Sequence, residues 1–366
     1  MKPFFCAFAA QRAGESPGGT AGQYQTYILI ECPTPWAAKA LDSKGIPPAL
    51  RRYIHDVSTE KSVRFLCINR GSNKTPKQAV RLLIYEQSGQ NEPPSSLLAS
   101  DNFSSGYRGY EFRLASLDQV ISCLEAYWQH SAVQSKSQNT SEGTHALVYG
   151  EAVGKKIEKQ DILVCTHGMR DKCCAKLGRP VFRGAQRMAT KGILPNARVW
   201  KTSHIGGHRF APTAITFPDG RYYGRLSLSA LKAALTREGD INQLRPVYRG
   251  WGILPQPLQL LEQLLFLQHG WSWLDRSVTY QQLGSKSGSD EVFAKLSVRQ
   301  TNGTVVHYRA RFIRDKEKTY CGKASCGDTA PSEIVKYAIA DYSVDKYPTS
   351  SLAQEQPSSL ETISAS

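Results

Sequence analysis

YEFRLASLDQVISCLEA (residues 110–126) and YYGRLSLSALKAALTRE (residues 222–238) share one plan, a strand that runs directly into a helix. Helical spacing of apolar residues follows in both: Val120, Ile121 and Leu124 in one, Leu228, Leu231 and Leu235 in the other. The agreement extends outward. Upstream of the first copy the pattern reads strand 27–30, helix about 47–56, strands 63–68, 80–85 and 110–114, then helix 116–127. The second copy reads strand 162–164, helix about 180–191, strands 197–202, 213–217 and 221–226, then helix 228–237. The runs YILI (27–30) and ILV (162–164) have the continuous apolar character of parallel strands covered on both faces. Pro218-Asp219-Gly220 supplies turn residues between the two later strands. A βαβ unit followed by a hairpin and a closing helix is the thioredoxin-like arrangement. The predicted class is therefore α/β, with tandem thioredoxin-like domains, each a central mixed sheet flanked by helices, and a C-terminal α+β segment.

The breaks set the boundaries. SAVQSKSQNTSEGT (131–144) is a polar linker, 88–106 is a loop rich in Ser, Pro and Asn, and 238–240 precedes a Pro-punctuated stretch. The expected units are residues 1–145, lacking metal ligands; 146–240, carrying them; 241–347, α+β; and a disordered tail, 348–366. In the third unit a helix bears Leu258, Leu261, Leu264 and Leu265, followed by Trp271 and Trp273. A hairpin turns at Asn302-Gly303. Alternation places Val306, Tyr308, Ala310 and Phe312 on one face and His307, Arg309 and Arg311 on the other. The second face reads as a solvated basic surface or as a docking patch for an acidic partner.

Composition bounds the function. The 366 residues are 40% hydrophobic and 10% aromatic, and no apolar run approaches the ~20 residues of a membrane span. MKPFFCAFAA is too short a run for a leader and reads as the entry to the first domain. Nine scattered cysteines do not form a disulfide framework, which points to a reducing cytoplasm. A net charge of +15 favours an acidic partner protein. Basic tracts interleaved with aromatics are missing, as are helix-turn-helix and RNP-type motifs, which argues against nucleic acid. There is no G-x-G-x-x-G after a strand and no G-x4-G-K-[ST], so no nucleotide fingerprint stands out.

Chemistry concentrates in two short segments. CTHGMRDKCC (165–174) follows the apolar run ending at Val164, and SHIGGHRF (203–210) follows the strand-like 197–202. Cys165, Cys174, His204 and His208 make a complete shell for one zinc ion or for a [2Fe–2S] cluster. The two loops fall at the ends of adjacent parallel strands, where ligands converge. Helix entry is expected near Arg179-Pro180, with proline in the first turn. Finger-type zinc sites use a tighter C-x2–4-C spacing. Rieske centres mix one Cys and one His in each loop, unlike this chain. Cys173-Cys174 beside Arg170 and Lys172 also admits a reactive thiol. Cys321 and Cys326 are too few for a second centre and read as free thiols. His167 is a spare near the site, with a surface or hydrogen-bonding role.

The same segments resemble the sucrase/ferredoxin-like family, thioredoxin-like [2Fe–2S] proteins with the signature C-x8-C followed by H-x-G-G-H. FFCAFAAQRAGESPGGTA (4–21), PTPWAAKAL (33–41) and PDGRYYGRL (218–226) are similar too, so the likeness covers roughly 4–240. It implies Cys165 and Cys174 as thiolate ligands and His204 and His208 as imidazole ligands. Cys173 departs from the simplest form of the motif and competes with Cys174 for the second position. No paired carboxylates support a glycosidase. The resulting expectation is a single-electron carrier or reductase component rather than a stand-alone enzyme. Its cluster potential would lie above that of plant-type ferredoxins and could be linked to proton uptake. Arg170, Arg198, Lys201 and Arg209 would lie near the loops. The alternative is a zinc-stabilised, non-redox binding module. Donor, acceptor and oligomeric state leave no mark in the sequence.

Overall fold

The structure is a computed structural model that describes residues 4–71, 79–89, 103–134, 147–149, 152–285, 290–323, 325–327, 330–347 and 362–364. Most of the 131–144 linker, the centre of the 88–106 loop and nearly all of the 348–366 tail lie outside the described residues.

A short helix, α1 (Cys6–Arg12), precedes the first half of the large sheet. That half comprises β1 (Thr26–Glu31), α2 (Pro48–Glu60), β2 (Val63–Asn69), β3 (Val80–Gln87), β4 (Tyr107–Leu114) and α3 (Gln119–Gln134). β5 (Leu147–Tyr149) and β6 (Ala152–Lys156) form a hairpin whose second strand pairs with β4. The second half comprises β7 (Gln160–Cys165), α4 (Lys172–Thr190), β8 (Ala197–Thr202), β9 (Ala214–Phe217), β10 (Arg221–Tyr223) and α5 (Leu228–Thr236). β11 (Tyr248–Trp251) then extends the same sheet, followed by α6 (Gln256–His269).

The strand order is β11-β10-β9-β7-β8-β2-β1-β3-β4-β6-β5. In each half the helix-connected strands are parallel, β1 with β2 and β7 with β8. The third strand lies antiparallel on the other side of the first, and the fourth pairs with the third. The two halves thus repeat one order and meet edge to edge, where Ile68 pairs with Thr202 and Asn69 with Lys201. The α/β class expected from the repeated plan is present, but the two copies share one continuous mixed sheet instead of forming two domains with a sheet each, because β2 and β8 pair across the junction. Its strands are covered on both faces: Tyr27 and Leu29 belong to one apolar core, Ile28 and Ile30 to the other. Leu50 and Ile54 of α2 and Leu124 of α3 close the second core.

A buried polar cluster holds the halves together. Asp161 accepts Arg198 Nε at 2.7 Å, Trp200 Nε1 at 2.7 Å and the hydroxyl of Tyr85 from the first half. Arg198 also bonds Glu111 of β4. Asp161 is fully buried, so these donors offset the desolvation of its charge.

α6 joins the large sheet to a second, antiparallel one. The latter contains β12 (Ser277–Ser285), β13 (Glu291–Arg299) and β14 (Val305–Arg314). A small ladder of β15 (Tyr320–Gly322) and β16 (Ser332–Ile334) intervenes before β17 (Tyr337–Tyr347) and β18 (Thr362–Ser364) complete that sheet. Leu258, Leu261 and Leu265 of α6 share a core with Val306, Tyr308, Ala310 and Phe312, the face that alternation assigns inward. On the opposite face Arg309 pairs with Asp345, and Arg311 with Asp341 and Glu291.

One element differs from the sequence expectation in a way that matters. α4 starts at Lys172, not near Pro180, which lies inside the helix. Extended Asp171 occupies the N-cap position, and its carbonyl accepts the Cys174 amide at 3.1 Å. Helix therefore begins at the cysteine pair. Cys173 and Cys174 consequently lie on its first turn, with adjacent side chains fanned to different directions.

Candidate metal centre

The parallel register sets Cys165, the last residue of β7, beside Thr202, the last of β8. Thr202 leads at once into Ser203 and His204, so the histidine loop leaves the sheet next to the first cysteine. α4 can lie tightly on β7 because residue 178 is glycine; a Cβ there would fall 2.0 Å from the carbonyl oxygen of Cys165. Its first turn then brings Cys174 back over the strand end. The donor atoms of Cys165, Cys174 and His204 all lie within 4.8 Å of one another. Cys174 Sγ is 3.7 Å from His204 Nδ1.

A second, overlapping group joins His204 and His208 to Asp171. Asp171 Oδ2 is 3.8 Å from Nδ1 of each ring. This oxygen is buried and makes no hydrogen bond among the described residues, whereas Oδ1 accepts the Cys326 amide and the Ser325 hydroxyl. Two thiols, two imidazoles and a buried carboxylate oxygen facing the rings fit a bound cation, which would give that oxygen a positive neighbour. These Cys and His groups can hold a metal ion. Cys165, Cys174 and His208 are almost fully buried, and His204 is partly exposed.

The surroundings of Cys165 and Cys174 shift the two thiols in opposite directions. A hydrogen bond from the Cys174 thiol, then contacts with His204 and the His167 backbone, hold Cys165 well below the usual thiol range despite its burial. Cys174 moves up because of that same bond to Cys165 and because it is buried.

Cys173 points elsewhere. It packs with Cys6, Ala7 and Ala211, its sulfur lying 3.3 Å from Cys326 Sγ and accepting the Ala7 amide at 3.4 Å. Burial pushes both Cys6 and Cys173 up to about 12. Cys326, read from the sequence with Cys321 as a free thiol, therefore lies with Cys6 and Cys173 in a cluster drawn from three distant segments, and the Cys6 and Cys326 sulfurs come within 4.8 Å of a His208 ring nitrogen. The geometry sets Cys174, not Cys173, beside Cys165 and His204.

The surrounding residues are only partly those the sequence suggests. His167 is buried and bridges the two halves: Nε2 lies 2.7 Å from the Ala37 carbonyl, and Nδ1 accepts the His204 amide at 3.3 Å. Arg198 sits at the far end of β8 in the Asp161 cluster, away from the loops. Arg209 turns to Glu15 at 2.8 Å, and Arg170 is exposed. Two other arginines reach the histidine loop. Arg64 donates to the His204 carbonyl at 2.8 Å, and Arg249 donates to the Gly206 carbonyl at 3.2 Å. Arg249 also bonds Thr20 and is almost fully buried. Burial draws its guanidinium down to about 10. It accounts for the glycine at 207, where a Cβ would come within 2.5 Å of the guanidinium. Neither arginine belongs to a local motif. Asp171 precedes the helix that begins at the cysteines, where an acid can read as a cap, but its side chain makes no cap hydrogen bond and turns to Ser325, Cys326 and the two rings instead.

The family profile described as sucrase/ferredoxin-like matches residues 17–250, which include both ligand loops and Arg249. The chain belongs to the sucrase/ferredoxin-like family. Two curated yeast proteins, both named altered inheritance of mitochondria protein 32, are similar over part of this family member. The one from Meyerozyma guilliermondii is 28% identical over 108 residues, 26% of this chain and 38% of that protein. The one from Debaryomyces hansenii is 34% identical over 101 residues, 26% of this chain and 36% of that protein. The matched stretch thus spans little more than a third of either relative. No solved structure matches the chain.

These relatives correct the functional expectation. Their name refers to inheritance of mitochondria and to no electron-carrier activity, so the reading of the sequence as an electron-transfer protein is withdrawn. The zinc-stabilised binding module finds no counterpart in the name either. The cytoplasmic setting inferred from the cysteines is likewise not supported by relatives named for mitochondria. No helix among the described residues is long and apolar enough to cross a membrane.

Proposed function

We propose that this sucrase/ferredoxin-like protein binds one [2Fe–2S] cluster, with Cys165 and Cys174 as thiolate ligands and His204 and His208 as imidazole ligands. The observation that carries the proposal is the approach of Cys165, Cys174 and His204 donor atoms to within 4.8 Å, with His208 beside them across Asp171. Such a group, when bound, supplies redox-active iron in a mixed sulfur and nitrogen environment. The chain's own residues prepare the place. The Cys174 hydrogen bond and His204 lower the Cys165 thiol, His167 fixes the backbone at His204, and Arg64 and Arg249 hold the loop carbonyls. Asp171 sets a negative charge beside both rings. The basic balance of the chain supports an acidic protein partner.

The test is chemical analysis of anaerobically purified full-length protein. Iron and inorganic sulfide in equal amounts are expected, with nitrogen couplings to iron in the paramagnetic spectrum of the reduced form. Stoichiometric zinc without iron or sulfide would overturn the proposal. The name of the relatives makes mitochondrial inheritance the first process in which to seek a role. Expression of this chain in yeast lacking the relative, scored for mitochondrial transmission, tests that role separately.

A further inference from the structure

A cavity of about 260 Å³ opens beside the histidine loop, on the side of Gly206 and Gly207. Four cations from distant parts of the chain reach its wall: Arg64 from β2, Arg209, Arg249 from β11, and Lys336. No Asp or Glu among the described residues lines it. Their partners leave charge to spare. Arg209 and Lys336 both bond the same oxygen of Glu15, each at 2.8 Å. Arg249 bonds the hydroxyl and carbonyl of Thr20 and the carbonyl of Gly206, all neutral acceptors. Arg64 bonds the His204 carbonyl and lies over the Tyr24 ring. Among the described residues one carboxylate thus bonds two of the four cations, while Arg64 and the buried Arg249 hydrogen-bond only neutral oxygens, the Cys165 and Cys174 sulfurs acting on Arg249 through charge alone. A buried guanidinium surrounded by neutral oxygens is costly, and an anion in the cavity would offset that cost.

The wall also says what sort of anion. Guanidinium groups and an ammonium converging from several elements suit an anion that accepts from many directions, as phosphate does. Gly206, with φ of +81°, has open space where a side chain would start, so the backbone there can be approached closely. Tyr24, Leu260 and Tyr337 provide an apolar flank.

We propose that this cavity binds a small phosphate-bearing organic molecule, with its phosphate among Arg64, Arg209, Arg249 and Lys336 and its organic part against Tyr24, Leu260 and Tyr337. The site uses none of the four proposed metal ligands, so it stands independently of the cluster reading.

Isothermal titration calorimetry of the full-length protein tests it, with inorganic pyrophosphate, adenosine diphosphate and succinate as probes at low ionic strength. Pyrophosphate and adenosine diphosphate are expected to bind, the nucleotide more tightly, and both more weakly as potassium chloride is raised. Arg64→Gln and Lys336→Gln should each weaken binding about tenfold, the loss of one charge-assisted bond. These residues are chosen because Arg249→Gln could fail to fold. A Cys165→Ser variant should retain pyrophosphate binding even when it holds no iron. Absence of binding by both phosphate probes at millimolar concentration would overturn the proposal. So would succinate binding as tightly as pyrophosphate, wild-type affinity in both charge variants, or loss of binding together with iron. Tighter binding of pyrophosphate than of the nucleotide would overturn the assignment of the apolar flank.

Discussion

The first and second halves of the large sheet have the same strand order but use their strand ends differently. At the end of β7, Cys165 meets Cys174 and the histidine loop. At the corresponding end of β1, Cys32 meets Cys67 instead, and a hydrogen bond to Cys32 together with burial raises the Cys67 thiol. The first half then serves the second. The backbone of Cys67 receives the Ser203 amide at 2.9 Å and donates to the Ser203 hydroxyl at 3.1 Å. Arg64 and Ala37, also from the first half, hold His204 and His167. Strand order alone thus supplies a place where loops converge. Metal-binding capacity needs, in addition, a cysteine on the first turn of the crossover helix and histidines in the facing loop.

The largest contrast is expected at the cysteines. Cys165→Ser or Cys174→Ser should abolish retention of iron and sulfide, whereas Cys32→Ser and Cys173→Ser should retain both. Metal and sulfide content per chain, with visible absorption, would show it, and iron loss in Cys32→Ser would erase the distinction between the halves.

Next in size is the polar cluster that joins them. Asp161→Ala leaves Arg198, Trp200 and Tyr85 without their shared acceptor and should destabilise the fold by about 3–5 kcal/mol. Denaturant unfolding measures this, and a change within about 0.5 kcal/mol would mean that the halves do not depend on the cluster.

Acid probes the same junction. Burial would raise the Glu111 carboxyl, but hydrogen bonding and charge from Arg198, then Arg81 and Arg113, bring it below the ordinary carboxylate range. A depressed folded-state value stabilises above the unfolded value and is lost as pH falls through the folded one. The melting temperature gap between the native protein and Glu111→Gln should therefore be widest near neutrality and close in acid. A gap independent of pH would remove Glu111 from the account.

The smallest effect belongs to the contact under the histidine loop. Ser203→Ala should cost about 1 kcal/mol, the value of one buried hydrogen bond, and leave metal content unchanged. Loss of metal would show that the first half sets the ligand geometry rather than only supporting it.

Much of this arrangement is legible in the sequence because it is written in local patterns. The matching strand-to-helix ends at 110–126 and 222–238 reveal the repeated order, and alternation across the Asn302-Gly303 hairpin selects its buried face. The start of α4 is less legible, since Pro180 advertises a helix entry that Asp171 in fact provides eight residues and more upstream. Arg64 and Arg249 leave no local trace. They sit on unremarkable strands, and their relation to the histidine loop arises only when β2 and β11 are brought into one sheet. Charge near the motif misleads for the same reason: Arg198 is close in sequence but lies at the other end of its strand, whereas Arg249 is distant and adjacent.

Asp171 divides its carboxylate between two neighbours, one oxygen bonded to the turn at Ser325 and Cys326, the other turned toward His204 and His208. A shift of that C-terminal turn would rotate the carboxylate and change the field at both rings. The turn at Ser325 and Cys326 therefore has a mechanical handle on the centre, through Asp171 and through Cys326 itself, whose sulfur lies within 4.8 Å of a His208 ring nitrogen.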